Sequence, residues 1–254
     1  MNLFLKFICA GCLLVSCSGK QSIKYLTDLE QVNIKGRVTK LVTETYKVDS
    51  LVQVEELESV TIEIFNKLGY TNTDTTKDFI EKNEVVEFLI YNKNGSLSSS
   101  STFVNGKIQS KMLLKYDDSK CIAIEIYDSN NKLESYYGNI QQTDFGLLSS
   151  MSSYDTNGKL TRSYTNDYDS IYQISATARD SIGMLSSEVK IHLTDKKYPE
   201  NMLEITYFKD SAIKKYLSYK YENWDTKGNW IQQTVFDDKG KAIKIVNRIF
   251  SYEY

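Results

Sequence analysis

The chain has little of what most catalytic centres are made from. It holds one histidine, His192, in 254 residues, together with one proline, Pro199. With no second histidine and no paired cysteine beside it, the usual zinc ligand sets are not available. Alternation in Lys190-Ile191-His192-Leu193 sets His192 opposite its apolar neighbours, as a solvent-facing strand residue. A Ser-His-Asp triad would need that same histidine, yet there is no Gly-x-Ser-x-Gly elbow, and glycine-rich phosphate loops are missing too. Of the four cysteines, Cys9, Cys12 and Cys17 crowd the start and only Cys121 follows, so the body of the chain forms no internal disulfide. Cys121 reads as a small core residue of a strand and not as a nucleophile. Lys and Arg (31) nearly balance Asp and Glu (33), which argues against a nucleic-acid partner.

The N-terminus is the exception to this blandness. Lys6 followed by the apolar run from Phe7 to Val15 has the form of a secretory signal, too short to cross a bilayer as a helix. Its end, Leu14-Val15-Ser16-Cys17, resembles the lipobox of bacterial lipoproteins. That resemblance implies cleavage before Cys17 and lipid attachment to it. The expected organisation is a signal peptide over 1–16, a lipidated tether over 17–34 and one β domain over 35–254. Ser18 is not the Asp that retains such proteins at the inner membrane, and no acidic run follows it. An outer-membrane anchor facing the periplasm is therefore expected, with the cell surface left open.

What the sequence has in abundance is one seven-residue phrase. YDTNGKL at Tyr154 recurs as YNKNGSL at Tyr91, YDSNNKL at Tyr127, WDTKGNW at Trp224 and FDDKGKA at Phe236, with a weaker copy at Phe65. In the first of these, Asp155 suits the opening of a type I turn and Gly158 the left-handed position after it. This is the three-residue hairpin loop with a glycine bulge, and it predicts that Tyr154 faces Leu160 across two strands. By the same rule Tyr91 faces Leu97, Tyr127 faces Leu133, Trp224 faces Trp230 and Phe236 faces Ala242. Asn131 replaces the glycine in one copy, as the next best residue there.

Between these turns apolar residues alternate, as at Val86, Phe88 and Ile90 or Ile122, Ile124 and Ile126. Helix is expected only within 24–32. The polar stretches 71–83 and 98–101 read as loops, and divergent hairpins are expected near Tyr168, Asp180 and Lys209. The expected fold is all-β: an extended, twisted antiparallel sheet of repeated hairpins, open rather than closed.

The heptads resemble the YD repeats of Rhs-type proteins and the short Tyr-Asp-x-x-Gly units of MORN-like or antitoxin-like bacterial proteins. The stretch from Trp224 to Tyr254 is similar to the ending of small envelope lipoproteins built from such units. The regular tandem array and autoproteolytic Asp-Pro junction of true Rhs shells are missing, which removes the expectation of a toxin-enclosing shell.

The Asp-x-Asn-Gly spelling invites a calcium loop, but from Asp155 the glycine falls fourth, not sixth, and Asn166 stands where a bidentate Glu is needed. No metal, cofactor or catalytic residue is expected. Nineteen tyrosines and two tryptophans are mostly accounted for by cross-strand pairing. The candidates for an exposed aromatic platform are Trp224 and Trp230, with Tyr136 and Tyr137 behind. The reading is a non-catalytic, lipid-anchored binding or scaffolding module with an envelope protein or glycan as partner. Its rivals are an antitoxin or immunity protein, and a carbohydrate-binding or carbohydrate-active one carrying two carboxylates in a cleft.

Overall fold

A computed structural model of the chain describes residues 26–49, 54–118, 120–208 and 211–253; Cys17 and the signal lie outside them. A four-residue helix, α1 (Asp28–Gln31), precedes sixteen strands. These are β1 (Val38–Asp49), β2 (Val54–Phe65), β3 (Thr71–Asp78), β4 (Asn83–Tyr91), β5 (Leu97–Val104), β6 (Lys107–Asp117), β7 (Lys120–Asp128) and β8 (Leu133–Gln142), then β9 (Leu148–Asp155), β10 (Leu160–Asp169), β11 (Tyr172–Asp180), β12 (Leu185–Leu193), β13 (Pro199–Phe208), β14 (Ser211–Trp224), β15 (Trp230–Phe236) and β16 (Ala242–Tyr252). Each pairs antiparallel with the next.

The sheet is closed, not open. β16 returns to pair with β1, from Val38 against Tyr252 to Lys47 against Lys244, and completes a barrel. Two physical reasons overturn the open sheet. Strand twist accumulates, and twisted sheets beyond about ten strands curl or split. An open sheet would also leave β1 and β16 as long unpaired edges, which closure removes.

Among the described residues one loop recurs at nine of the strand connections. Asp155 N–H donates to the Lys159 carbonyl (3.0 Å) and Gly158 N–H back to the Asp155 carbonyl (3.0 Å). The Asp155 carboxylate accepts from the amides of Asn157 and Lys159, both at 2.9 Å. The same backbone pair of bonds opens at Asn66, Asn92, Asp128, Thr143, Asp180, Thr194, Asp225 and Asp237. All five predicted facing pairs form, including Tyr154 with Leu160 and Trp224 with Trp230. Gly158 sits at φ +79°, where an added Cβ would meet nothing closer than Tyr136 Oη at 3.7 Å. Gly158→Val therefore acts through backbone strain and not through collision. It should cost about 1–2 kcal/mol and lower the melting temperature by about 3–8 °C; an unchanged thermal unfolding curve would contradict the turn.

Most of the two polar segments read as loops is strand, with 79–82 alone a turn. Residues 71–78 form β3 and 97–104 form β5. Their polarity follows from the barrel's two unusual faces. Leu41, 1% exposed, points inward, and residues directly opposite one another in a ladder share a face. Glu63 is opposite Leu41, Asp74 opposite Glu63 and Glu87 opposite Asp74, so the inner wall of β2, β3 and β4 is acidic. Apolar burial concentrates at one rim, where Leu29, Ile34, Val38, Leu41 and Phe65 pack with Phe250 and Tyr252. There α1 lies across the barrel end. It is closed by a capping box between Thr27 and Glu30 and tied to the β2–β3 turn by Leu29 N–H donating to the Gly69 carbonyl (3.4 Å).

Candidate functional site

The structure brings Trp224 and Trp230 together and places the two tyrosines elsewhere. Trp230, 5% exposed, lies under the guanidinium of Arg248 at 3.8 Å from the ring centroid, with Tyr221 edge-on at 5.4 Å. Trp224 keeps 38% of its surface and meets Tyr198 (5.6 Å) and the Lys196 ammonium (4.4 Å). Tyr136 and Tyr137 are on β8, away from β14 and β15 in the ring, and as neighbours on a strand they point to opposite faces. Tyr136 stacks on Tyr154 outside (5.0 Å) and Tyr137 meets Tyr164 inside (6.3 Å). The four do not form one platform.

The buried half of this aromatic cluster belongs to a seam. Asn229, 2% exposed, accepts from Lys35 N–H (2.7 Å) and donates to the Lys35 carbonyl (2.9 Å) and to Tyr252 Oη (2.8 Å). Tyr252 in turn donates to Asp225. One side chain thus holds the segment before β1, the β14–β15 turn and the last strand together. The sequence pattern hides it, because Asn229 occupies a heptad position filled by Ser96, Lys132, Lys159 or Lys241 in the other copies.

Next to the seam lies the acidic wall. Like charges directly opposite across a ladder repel, and among the described residues the cation that acts on Glu63 in the row Glu63, Asp74, Glu87 is Arg248. Burial, with Asp74 adding to it, pushes the Glu63 carboxyl up to about 7 despite Arg248. Burial brings Arg248 down to about 10, and its Nε has no hydrogen-bond partner among the described residues. Both side chains sit deep in the barrel yet keep some accessible surface, as groups facing an internal lumen do. Sixteen strands enclose more room than one layer of side chains fills. At the capped rim the Asp28 carboxylate accepts from Thr71 N–H (2.6 Å) and Tyr91 Oη (2.8 Å), while burial raises its pKa. Cys121 is fully buried, and burial moves its thiol up to about 12, well away from a reactive thiolate. His192 is exposed, 2.8 Å from Glu200. Among the described residues no group of three or more His, Cys, Asp or Glu is arranged to hold a metal.

The outer surface divides into two sectors. On β16 and β1–β6 the outward residues include Ile249 (55% exposed), Val42, Ile62, Ile64, Val86, Phe88 (47%), Ile90 (60%), Phe103 and Leu113 (41%), bordered by Lys40, Lys77, Glu84 and Lys111. Phe88 and Phe103 meet edge to face at 5.7 Å. Small Thr73, Thr75, Ser99 and Ser101 fill the positions between them, leaving a flat apolar face. Outward ion pairs occur at the border of this sector, Lys77 with Glu84 (3.0 Å), and on the remaining strands, Lys190 with Glu188 (3.1 Å) and Lys220 with Glu222 (2.5 Å). A barrel that spans a bilayer has an apolar band on every strand, whereas here the run of exposed apolar side chains over neighbouring strands is on β16 and β1–β6, with Tyr216 and Phe208 exposed elsewhere.

No family model and no curated protein matches the chain. Among solved structures, a porin-like protein from Bacteroides uniformis aligns over 91% of this chain and 100% of its own, with 11% identity and a TM-score of 0.43. A porin-like protein from Bacteroides vulgatus aligns over 86% of this chain and 99% of its own (10% identity, TM-score 0.35). The TcdB2-TccC3 structure aligns over 80% of this chain but 14% of its own, with 14% identity and a TM-score of 0.32. At these values the likeness carries no functional argument.

Proposed function

We propose that the protein is a non-catalytic module, held at a bacterial envelope membrane by a lipid on Cys17, whose outer apolar face binds a protein partner. The observation that supports this reading is the flat, uncovered face centred on Phe88 and Ile90. Soluble proteins rarely leave contiguous apolar surface of that kind without a use. Its exposed phenyl and aliphatic groups, with no charge between them, fit the aromatic, charge-poor core of a protein interface. A glycan would need longer hydrogen-bonding side chains beside the rings, and this face has few.

The test is crosslinking of the full-length lipoprotein in native envelopes, with Phe88→Ser/Ile90→Ser and Cys17→Ala in parallel. A defined protein crosslinked by the parent should be lost in the face variant and weakened at least tenfold in the unanchored one, because anchoring raises local concentration. Retention of that protein by the face variant would remove the apolar face from the proposal. If the captured partner is a toxin, the module works as an immunity protein.

A further inference from the structure

The cap of the barrel also carries a surface with its own chemistry. The chain runs toward Cys17 from Thr27, whose side chain is packed on Gly69 at the β2–β3 turn. Only nine residues, 18–26, separate Thr27 from Cys17, and they reach at most about 30 Å. Whatever holds Cys17 is therefore tethered from this rim and lies within that reach of it.

At α1 and the β2–β3, β12–β13 and β14–β15 turns that rim is basic around exposed apolar groups, while Asp117, Asp118 and Asp144 stand at its β6–β7 and β8–β9 turns. Val32 (45% exposed), Leu68 (70%) and Trp224 (38%) stand at its surface. Lys35, Lys67, Lys196 and Lys227 are exposed around them. Lys35 Nζ is 3.8 Å from where a Cβ on Gly228 would be, and Asn33 donates to the Lys196 carbonyl at 2.8 Å, so Lys35, Lys196 and Lys227 form one group. Among the described residues none of the four is in an ion pair. Their acidic neighbours, apart from Asp195, are already engaged: Glu30 by Thr27, Asp169 by Lys197, Asp225 by Tyr252 and Asn229, and Glu253 by Arg37.

We propose that this capped rim is a docking surface for an anionic phospholipid bilayer, with Lys35, Lys196 and Lys227 meeting headgroups and Trp224, Val32 and Leu68 entering the interfacial layer. The charge is complementary, tryptophan suits the headgroup level, and a lipidated Cys17 would bring the bilayer within reach. The proposal rests on the lipid-anchor reading and adds an orientation to it. The barrel stands with its cap on the membrane, and the outer apolar face is left lateral and free for a partner.

The test uses the chain from Ser18 onward, which contains every described element but no lipid, in co-sedimentation with vesicles. Vesicles of phosphatidylglycerol and phosphatidylethanolamine are compared with phosphatidylcholine alone, at low salt and at about 0.5 M salt, where charge attraction is screened. Binding to the anionic vesicles is expected, lost in high salt. Lys35→Gln/Lys196→Gln/Lys227→Gln should weaken it about fivefold per residue, or roughly a hundredfold together, with its thermal unfolding unchanged. Equal binding by parent and variant, indifference to phosphatidylglycerol, or loss only in Phe88→Ser/Ile90→Ser would overturn the proposal. The anchor itself is tested separately, by the mass of the Cys17 peptide from envelope-purified protein. An unmodified Cys17 would defeat the anchor reading and leave the vesicle result to stand on its own.

Discussion

Trp230→Ala should lower stability by about 3–5 kcal/mol, a large part of the roughly 5–15 kcal/mol that separates a folded domain from its unfolded chain. The indole is almost fully covered, and its loss opens a cavity under Arg248 and beside Tyr221. It also removes the ring over which a guanidinium with an unbonded Nε is held. Trp224→Ala, at the exposed end of the same hairpin, should cost no more than about 1–1.5 kcal/mol, because that ring contributes mainly contacts with Tyr198 and Lys196. Urea unfolding midpoints of the two variants measure the difference. Equal, small losses would mean that Trp230 is a surface residue after all and restore it to a binding platform.

The contrast between these two tryptophans shows what local sequence can and cannot report. The heptad determined its own geometry because everything the loop needs lies within seven residues: an oxygen acceptor at Asp155, a left-handed position at Gly158 and a facing pair outside them. Copies that begin with threonine, at Thr143 and Thr194, were illegible as copies, although their hydroxyls accept from the same downstream amides (3.2 Å from Leu147 and from Tyr198). Which of two facing aromatics is buried depends on Arg248 and Lys35, residues far away in sequence. So does closure, since nothing near Val38 announces that it will pair with Tyr252.

The misread strands have a related cause. Alternation is visible when one face meets an apolar core and the other meets water, but β3 carries Asp74 and Thr76 inward and Thr73, Thr75 and Lys77 outward. Both faces are polar, and the period of two disappears. β5 loses it for the same reason, with Ser100 and Thr102 inside and Ser99 and Ser101 outside. On β4 both faces carry apolar groups, because Phe88 and Ile90 are exposed outside while Leu89 and Tyr91 pack inside on Leu97 beside the inward Glu87. The alternation was legible, and its direction was not. The apolar outer face was thus hidden in residues that the sequence would assign to a core.

The acidic wall has a measurable consequence at Glu63. Its carboxyl titrates at about 7 in the folded protein against an ordinary 4.5, so the folded state holds the proton more tightly than the unfolded chain does. A group shifted in this direction contributes stability that is fully present below pH 4.5 and is lost as the pH rises through 7. Above that, both states are ionised and the fold bears the whole cost of a buried carboxylate beside Asp74. Glu63→Gln keeps the shape and removes the charge. It should be more stable than the parent by about 3 kcal/mol at pH 8, a figure set by the size of the shift, and equal to it near pH 4. A shallow fall should persist in the variant, because burial displaces Asp28 in the same direction. Denaturant titrations at the two pH values decide the matter. A variant less stable than the parent at pH 8 would mean that attraction between the Glu63 carboxylate and Arg248 outweighs burial and the repulsion of Asp74, and that the acidic wall is held together by that arginine.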